Sequence, residues 1–216
     1  MKYYFVLFYL FNFYVFSSTT WNVESLIQHL KNILQEGLQS HEFLLIDSVN
    51  IIKDKDLGII NSKQTELFKN YNISTYIFIL NSIKEGRKKF AANLVKKLPT
   101  IHNKIDIANS ITLVINMNKK KTHFIYGKKV TRFFSNKKKK IIRKELYNYL
   151  KMKKESEGIV IVLQKILEEL KIKTNNYLMI AIIVLVIFTL FILFTKKNPG
   201  PNLLNKTNKS ETKKTN

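Results

Sequence analysis

The spacing of apolar residues divides this chain into elements. From Asn22 to Leu38, Val23, Leu26, Ile27, Leu30, Ile33, Leu34 and Leu38 recur at helical intervals, which predicts an amphipathic helix capped by Asn22 with Gly37 near its end. Phe43 to Ile52 reads as a short apolar strand. Lys53-Asp54-Lys55-Asp56 then leads into Leu57-Gly58-Ile59-Ile60, and Asn61 or Ser62 is the expected cap of a helix reaching Tyr71. Ser74 to Leu80 is β-branched and aromatic without alternation, the pattern of a strand buried on both faces. A helix is predicted from Glu85 to Leu98, stopped by Pro99. Ile111 to Met117 is a second buried-type strand, and Thr122 to Tyr126 returns as its hairpin partner, ending at Gly127. Ser135 is placed to cap a helix carrying Ile141, Ile142, Leu146, Tyr149 and Leu150. A last amphipathic helix presents Ile159, Val160, Leu163, Ile166, Leu167 and Leu170. Strands alternating with helices predict an α/β fold: a three-layer α/β/α sandwich with a central, mostly parallel sheet plus one hairpin strand.

Two other apolar runs lie outside that pattern. Met1-Lys2 followed by Tyr3 to Phe16, with Ser17 and Ser18 behind, has the build of a signal peptide at residues 1–17. An uncleaved signal anchor is the alternative reading. Tyr177 to Phe194 carries no charge and would span ~27 Å as a helix, long enough for a thin bilayer. Residues 177–195 are therefore expected to form a single transmembrane helix, and Pro199-Gly200-Pro201 to end it. The lysine-rich segment 196–216 fits a cytosolic tail by the positive-inside rule. Between leader and span, residues 18–42 form an N-terminal amphipathic helix and residues 43–172 a single domain.

Charge adds a choice of partner. With 37 Lys and Arg against 15 Asp and Glu, the formal net charge is +22. Lys119-Lys120-Lys121 and Lys137, Lys138, Lys139 and Lys140 are candidate contacts for anionic headgroups or an acidic protein. Nucleic acid is not an expected partner, because the runs lack interleaved aromatic residues and arginines, and a lumenal domain rarely meets it. A plainer reading is that lysine covers every solvated face. The absence of cysteine excludes disulfides, thiolate metal sites and a cysteine nucleophile.

No glycine-rich phosphate loop, nucleophile elbow or paired-histidine metal motif is present. His29, His41, His102 and His123 are scattered. Lys213-Lys214-Thr215-Asn216 looks like a dilysine retrieval signal, which favours the endoplasmic reticulum within the secretory pathway. Asn72-Ile73-Ser74 is a glycosylation sequon on the expected lumenal side, whereas Asn205 and Asn208 begin sequons on the expected cytosolic side.

Several segments together resemble a known family. Asp56-Leu57-Gly58-Ile59-Ile60-Asn61-Ser62 precedes a helix, Thr75 to Leu80 forms a strand, and Asn109-Ser110-Ile111-Thr112-Leu113-Val114-Ile115 opens the next. With Tyr126-Gly127 and Glu157-Gly158-Ile159, their order and spacing resemble the TPM domain family, named after thylakoid-lumen, photosystem-repair and levamisole-receptor-modulator proteins. The resemblance covers Phe43 to Leu170. It implies a leader, this domain and one following transmembrane helix. It also implies a calcium or magnesium site, for which Asp54, Asp56, Asp106 and Asn109 are the nearest residues here, gathered at one strand-end crevice. The departures are marked. Ala108 and Ser110 stand where the family has an acidic residue and glycine, Lys128 and Lys129 follow Gly127, and Lys55 falls where the family has aspartate.

Plant relatives described as acid phosphatases and animal relatives that modulate an ion channel imply different roles. The first would be a metal-dependent phosphatase. The second would be a binding or auxiliary module for a membrane-protein partner, held in the lipid bilayer, and the lysines beside the eroded acidic positions favour it. A module for anionic lipid or acidic protein, built on the lysine runs, is the third expectation.

Overall fold

The structure is a computed structural model that describes residues 20–37, 39 and 42–197. The expected leader at 1–17, Leu38 of the first helix, and the tail from 198, with Lys213 and Lys214, lie outside the described residues. The chain divides into two units after Lys171.

The first unit begins with β1 (Thr20–Trp21) and α1 (Val23–Gln35). The Asn22 side chain accepts a hydrogen bond from the Ser25 N–H at 2.8 Å, and the Ser25 hydroxyl lies 3.3 Å from the Asn22 N–H, closing a capping box. Gly37 follows in the left-handed region at φ +67°. The other elements are β2 (Phe43–Asp47), α2 (Asp54–Tyr71), β3 (Ser74–Leu80), β4 (Ser82–Ile83), α3 (Arg87–Lys97), β5 (Ser110–Asn116), β6 (Lys121–Tyr126), α4 (Lys128–Thr131), α5 (Asn136–Lys151) and α6 (Glu155–Lys197). Four strands form one sheet in the order β2-β3-β5-β6. Its first three strands are parallel and β6 returns antiparallel, as the hairpin pattern predicts.

Every residue of β3 and β5 is buried, which accounts for their unbroken apolar runs. Successive side chains serve opposite faces. Ile77 and Ile79 join a core with Ile60, Leu67, Ile142, Leu146, Ile159, Val162 and Ile166, drawn from α2, α5 and the start of α6. Tyr76, Phe78 and Leu80 face Trp21, Leu26, Leu30, Phe90, Ala91 and Leu94, drawn from β1, α1 and α3. The result is the three-layer α/β/α sandwich, with α1 as part of one outer layer.

Three local readings are corrected, and one feature is new. β2 ends at Asp47 rather than Ile52, because the Asp47 side chain accepts the backbone N–H groups of Val49, Ile51 and Ile52 at 3.1, 2.8 and 2.8 Å and draws the chain out of the ladder. α2 starts at Asp54, so Asn61 and Ser62 lie within it. Asp54 and Asp56 occupy its first turn, where negative charge suits the helix dipole. The last amphipathic helix and the apolar run share α6, since no proline or glycine separates Leu170 from Tyr177. The two-residue ribbon of β1 with β4 was not foreseen. It seats Trp21 at 1% exposure, with the Lys84 N–H donating to its carbonyl at 3.0 Å.

In the second unit the side chains of Tyr177, Met179, Ile180 and Ile182 to Ile187 are about half exposed or more. α6 thus contains one candidate membrane-spanning helix by length and composition, with a mean hydropathy of 2.8 over its most apolar window.

Candidate functional site

Two of the four implied metal ligands meet at the N-terminal edge of the parallel strands. Asp106 caps the turn before β5, accepting the Ala108 and Asn109 N–H groups at 2.9 and 3.3 Å through one carboxylate oxygen. Its other oxygen lies 3.6 Å from the Lys129 ammonium. The Asn109 side-chain amide donates to the Asn72 carbonyl, at the left-handed residue that ends α2. Gly127 closes the corner from β6. A Cβ there would stand 2.2 Å from the Ile107 carbonyl oxygen and 2.5 Å from that of Ala108.

Asp54 and Asp56 are elsewhere. They lie in the first turn of α2, beyond the C-terminal end of β2, and α2 runs 18 residues, roughly 27 Å, before reaching Asn72. The four residues therefore do not share one crevice, which corrects the expected gathering. Asp56 is buried and accepts the Ser156 hydroxyl at 2.6 Å, while the Lys53 N–H donates to that hydroxyl at 3.4 Å. A hard cation needs several converging oxygens. Asp106 is engaged by two N–H groups and faced by Lys129, and Asn109 presents its amide N–H to a carbonyl. These residues do not fit calcium or magnesium. Among the described residues, no group of three or more histidines and acids is placed to hold a metal.

The lysine runs also lie apart. Lys121 pairs with Asn116 at one end of the β5–β6 hairpin, and Lys120 is left-handed at φ +46° in its turn. Lys139, from the start of α5, sits 5.1 Å from the ring centre of Tyr126, which pairs with Ile111 at the other end. Those ends are about 17 Å apart at the usual rise of a strand. Lys138 forms an ion pair with Glu169, and Lys137 and Lys140 are exposed. The Asn72 residue of the lumenal sequon is exposed, while Ile73 and Ser74 are buried.

The two edges of the main sheet differ, and sequence reasoning found neither device. At β2 the Gln39 side chain acts as a short strand: its amide donates to the Leu45 carbonyl at 2.7 Å and its oxygen accepts the Leu45 N–H at 2.8 Å. At β6, His123 through Tyr126 are all half-buried, in contrast to the closed strands beside them. Burial lowers the pKa of His123, and the charges of Arg87, Lys88 and Arg143 lower it further. Burial raises the pKa of the Tyr126 hydroxyl, which has no hydrogen-bond partner among the described residues. Asp47 was also missed. Its legible signal was an aspartate ending an apolar run before Ser48-Val49-Asn50, the composition of a turn.

A three-layer α/β sandwich, with parallel strands closed by one hairpin and a glycine wedged against the turn before that hairpin, defines the class of domain. The profile of the TPM domain family matches residues 45–169, and the chain belongs to that family. The solution structure of the N-terminal domain of a protein from P. gingivalis shares the fold. It has a TM-score of 0.56 at 14% identity, covering 70% of this chain and 92% of that one. No curated protein matches the chain.

Proposed function

We propose that this chain is a single-pass membrane protein of the secretory pathway whose TPM domain binds, or serves as an auxiliary module for, a membrane-protein partner. The domain would face the lumen or the exterior, the tail the cytosol, and Lys213 and Lys214 would favour the endoplasmic reticulum. The observation that carries the binding role is the state of the Asp106 corner. One oxygen of its carboxylate and the Asn109 amide nitrogen are spent on backbone groups, and the other carboxylate oxygen faces a lysine, so the family fold is kept without the converging oxygens a cation needs. The exposed apolar stretch of α6 supports the anchor.

The test is recovery of a tagged full chain from membranes in mild detergent after crosslinking, beside a phosphatase assay with calcium and magnesium on the same sample. Stoichiometric recovery of one membrane protein, lost when the TPM domain is replaced by an unrelated one, is the expected result. Metal-dependent hydrolysis of a phosphate ester without a co-purifying partner would overturn the proposal. Glycosylation of Asn205 or Asn208 would overturn the orientation.

A further inference from the structure

The free edge of the sheet gives the binding reading a physical form. The Gly127 N–H donates to the Ser110 carbonyl at 2.8 Å. In an antiparallel ladder such pairs alternate with non-bonded ones. Lys121, His123 and Ile125 therefore turn their backbone groups toward β5, and Thr122, Phe124 and Tyr126 turn theirs outward. The Tyr126 carbonyl accepts the Thr131 hydroxyl at 3.2 Å. Among the described residues, the backbone groups of Thr122 and Phe124 have no partner. At the opposite edge the Gln39 side chain already occupies the outward backbone groups of Leu45, the middle residue of β2.

Cations flank this edge from both outer layers. Arg87 and Lys88 come from the start of α3 and Arg143 from α5, and the charges of all three bear on His123. None has an ion-pair partner among the described residues, and the Arg87 Nε is buried without an acceptor. Lys121 stands at one end of the strand and Lys139 over the Tyr126 ring at the other. Lysine at an edge strand deters pairing with another copy. Two copies joined at β6 would also bring like charges together.

We propose that β6 accepts an extended acidic segment of the partner protein as an added strand, its backbone pairing with Thr122 and Phe124 and its carboxylates with Arg87, Lys88 and Arg143. Main-chain pairing supplies affinity in this mode, and the flanking charges supply selectivity. The inference rests on the binding role proposed above and names the chemistry of the partner.

The test uses the full chain in detergent micelles and a fluorescent octapeptide of alternating Glu and Val. Two control peptides are the same octapeptide N-methylated at every Val, and a Lys-Val counterpart. Binding of the Glu-Val peptide is expected to slow amide exchange at Thr122 and Phe124. N-methylation, which removes the strand's donors on one edge, should weaken binding by about tenfold or more. A chain carrying both K88E and R143E should lose at least as much, and the Lys-Val peptide should not bind. Equal binding of the N-methylated peptide would overturn strand addition in favour of a diffuse charge effect. So would self-association through β6 that shuts the peptide out. Failure of the Glu-Val peptide while the chain still recovers a membrane protein would overturn this inference alone. Failure of both would overturn the binding role as well.

Discussion

The Ser156 hydroxyl, at the start of α6, donates a 2.6 Å hydrogen bond to the buried side chain of Asp56 in the first turn of α2. Residues 100 positions apart are joined there, and the same hydroxyl accepts the Lys53 N–H at 3.4 Å. Ser156→Ala would leave a buried acid without its hydroxyl partner, and the cost of such a loss is about 1.5–3 kcal/mol. The expected outcome is an unfolding free energy lowered by that amount, read as a lower urea midpoint with the transition slope unchanged. Ser156→Thr, which keeps the hydroxyl, should recover part of it.

Gly127 and Gly58 predict opposite responses to the same change. Alanine at 127 would put a Cβ 2.2 and 2.5 Å from two carbonyl oxygens, and backbone cannot move aside as a flexible side chain can. A loss of about 2 kcal/mol or more is expected, at the upper end of overpacking costs. Alanine at 58, an exposed position inside α2, meets nothing within 4 Å. It should stabilise by about 0.5–1 kcal/mol through helix propensity. Thermal melts of the two variants beside the parent chain check both signs.

The order of the layers was legible because burial and period agree in β3, β5, α1 and α5. Ser74 to Leu80 and Ser135 were read at their true positions. What escaped depends on side-chain partners that periodicity does not encode, whether near in sequence or far. Nothing local in Trp21 says that it pairs beside Ile83, and nothing in Gln39 says that its amide will meet Leu45. The candidate metal site failed for a related reason. Asp54, Asp56, Asp106 and Asn109 are compatible in chemistry, but the length of α2 puts the first two at the far end of the sheet from the others. Asp47 was hidden because an aspartate inside an apolar run looks like a strand residue until its turn is seen.

Two histidines and one aspartate predict pH dependence of opposite sign. Burial and neighbouring cations hold His123 below its ordinary value of 6.5, and burial does the same for His29. The folded chain then binds fewer protons than the unfolded one, so this stability is present above 6.5 and is lost as pH falls through the lowered values. Burial raises Asp47 above its ordinary 3.8 despite its backbone N–H partners. Its contribution is full below 3.8 and is lost as pH rises through the raised value. Urea midpoints measured against pH should show that His123→Gln flattens the limb below 6.5. Asp47→Asn should flatten the limb just above 3.8.

Asp106 separates a structural acid from a catalytic one. In the capping role its carboxylate holds two N–H groups ahead of β5, and removing such a cap costs about 1 kcal/mol. Asp106→Ala should therefore lower stability by that amount, and Asp106→Asn, which keeps a cap oxygen, by much less. Neither change should alter the heat of titration with calcium or magnesium, because the second oxygen faces Lys129 at 3.6 Å rather than other acids. Lys129→Glu provides the sharper comparison. It replaces the cation at the corner with another carboxylate, so a chain whose corner had lost only its charge balance would gain cation binding. If the Asn109 amide and the Ala108 backbone are what close the corner, K129E will bind no better than the parent. A cation affinity already present in the parent and abolished by Asp106→Ala would place the metal at this turn and return the phosphatase reading to first place.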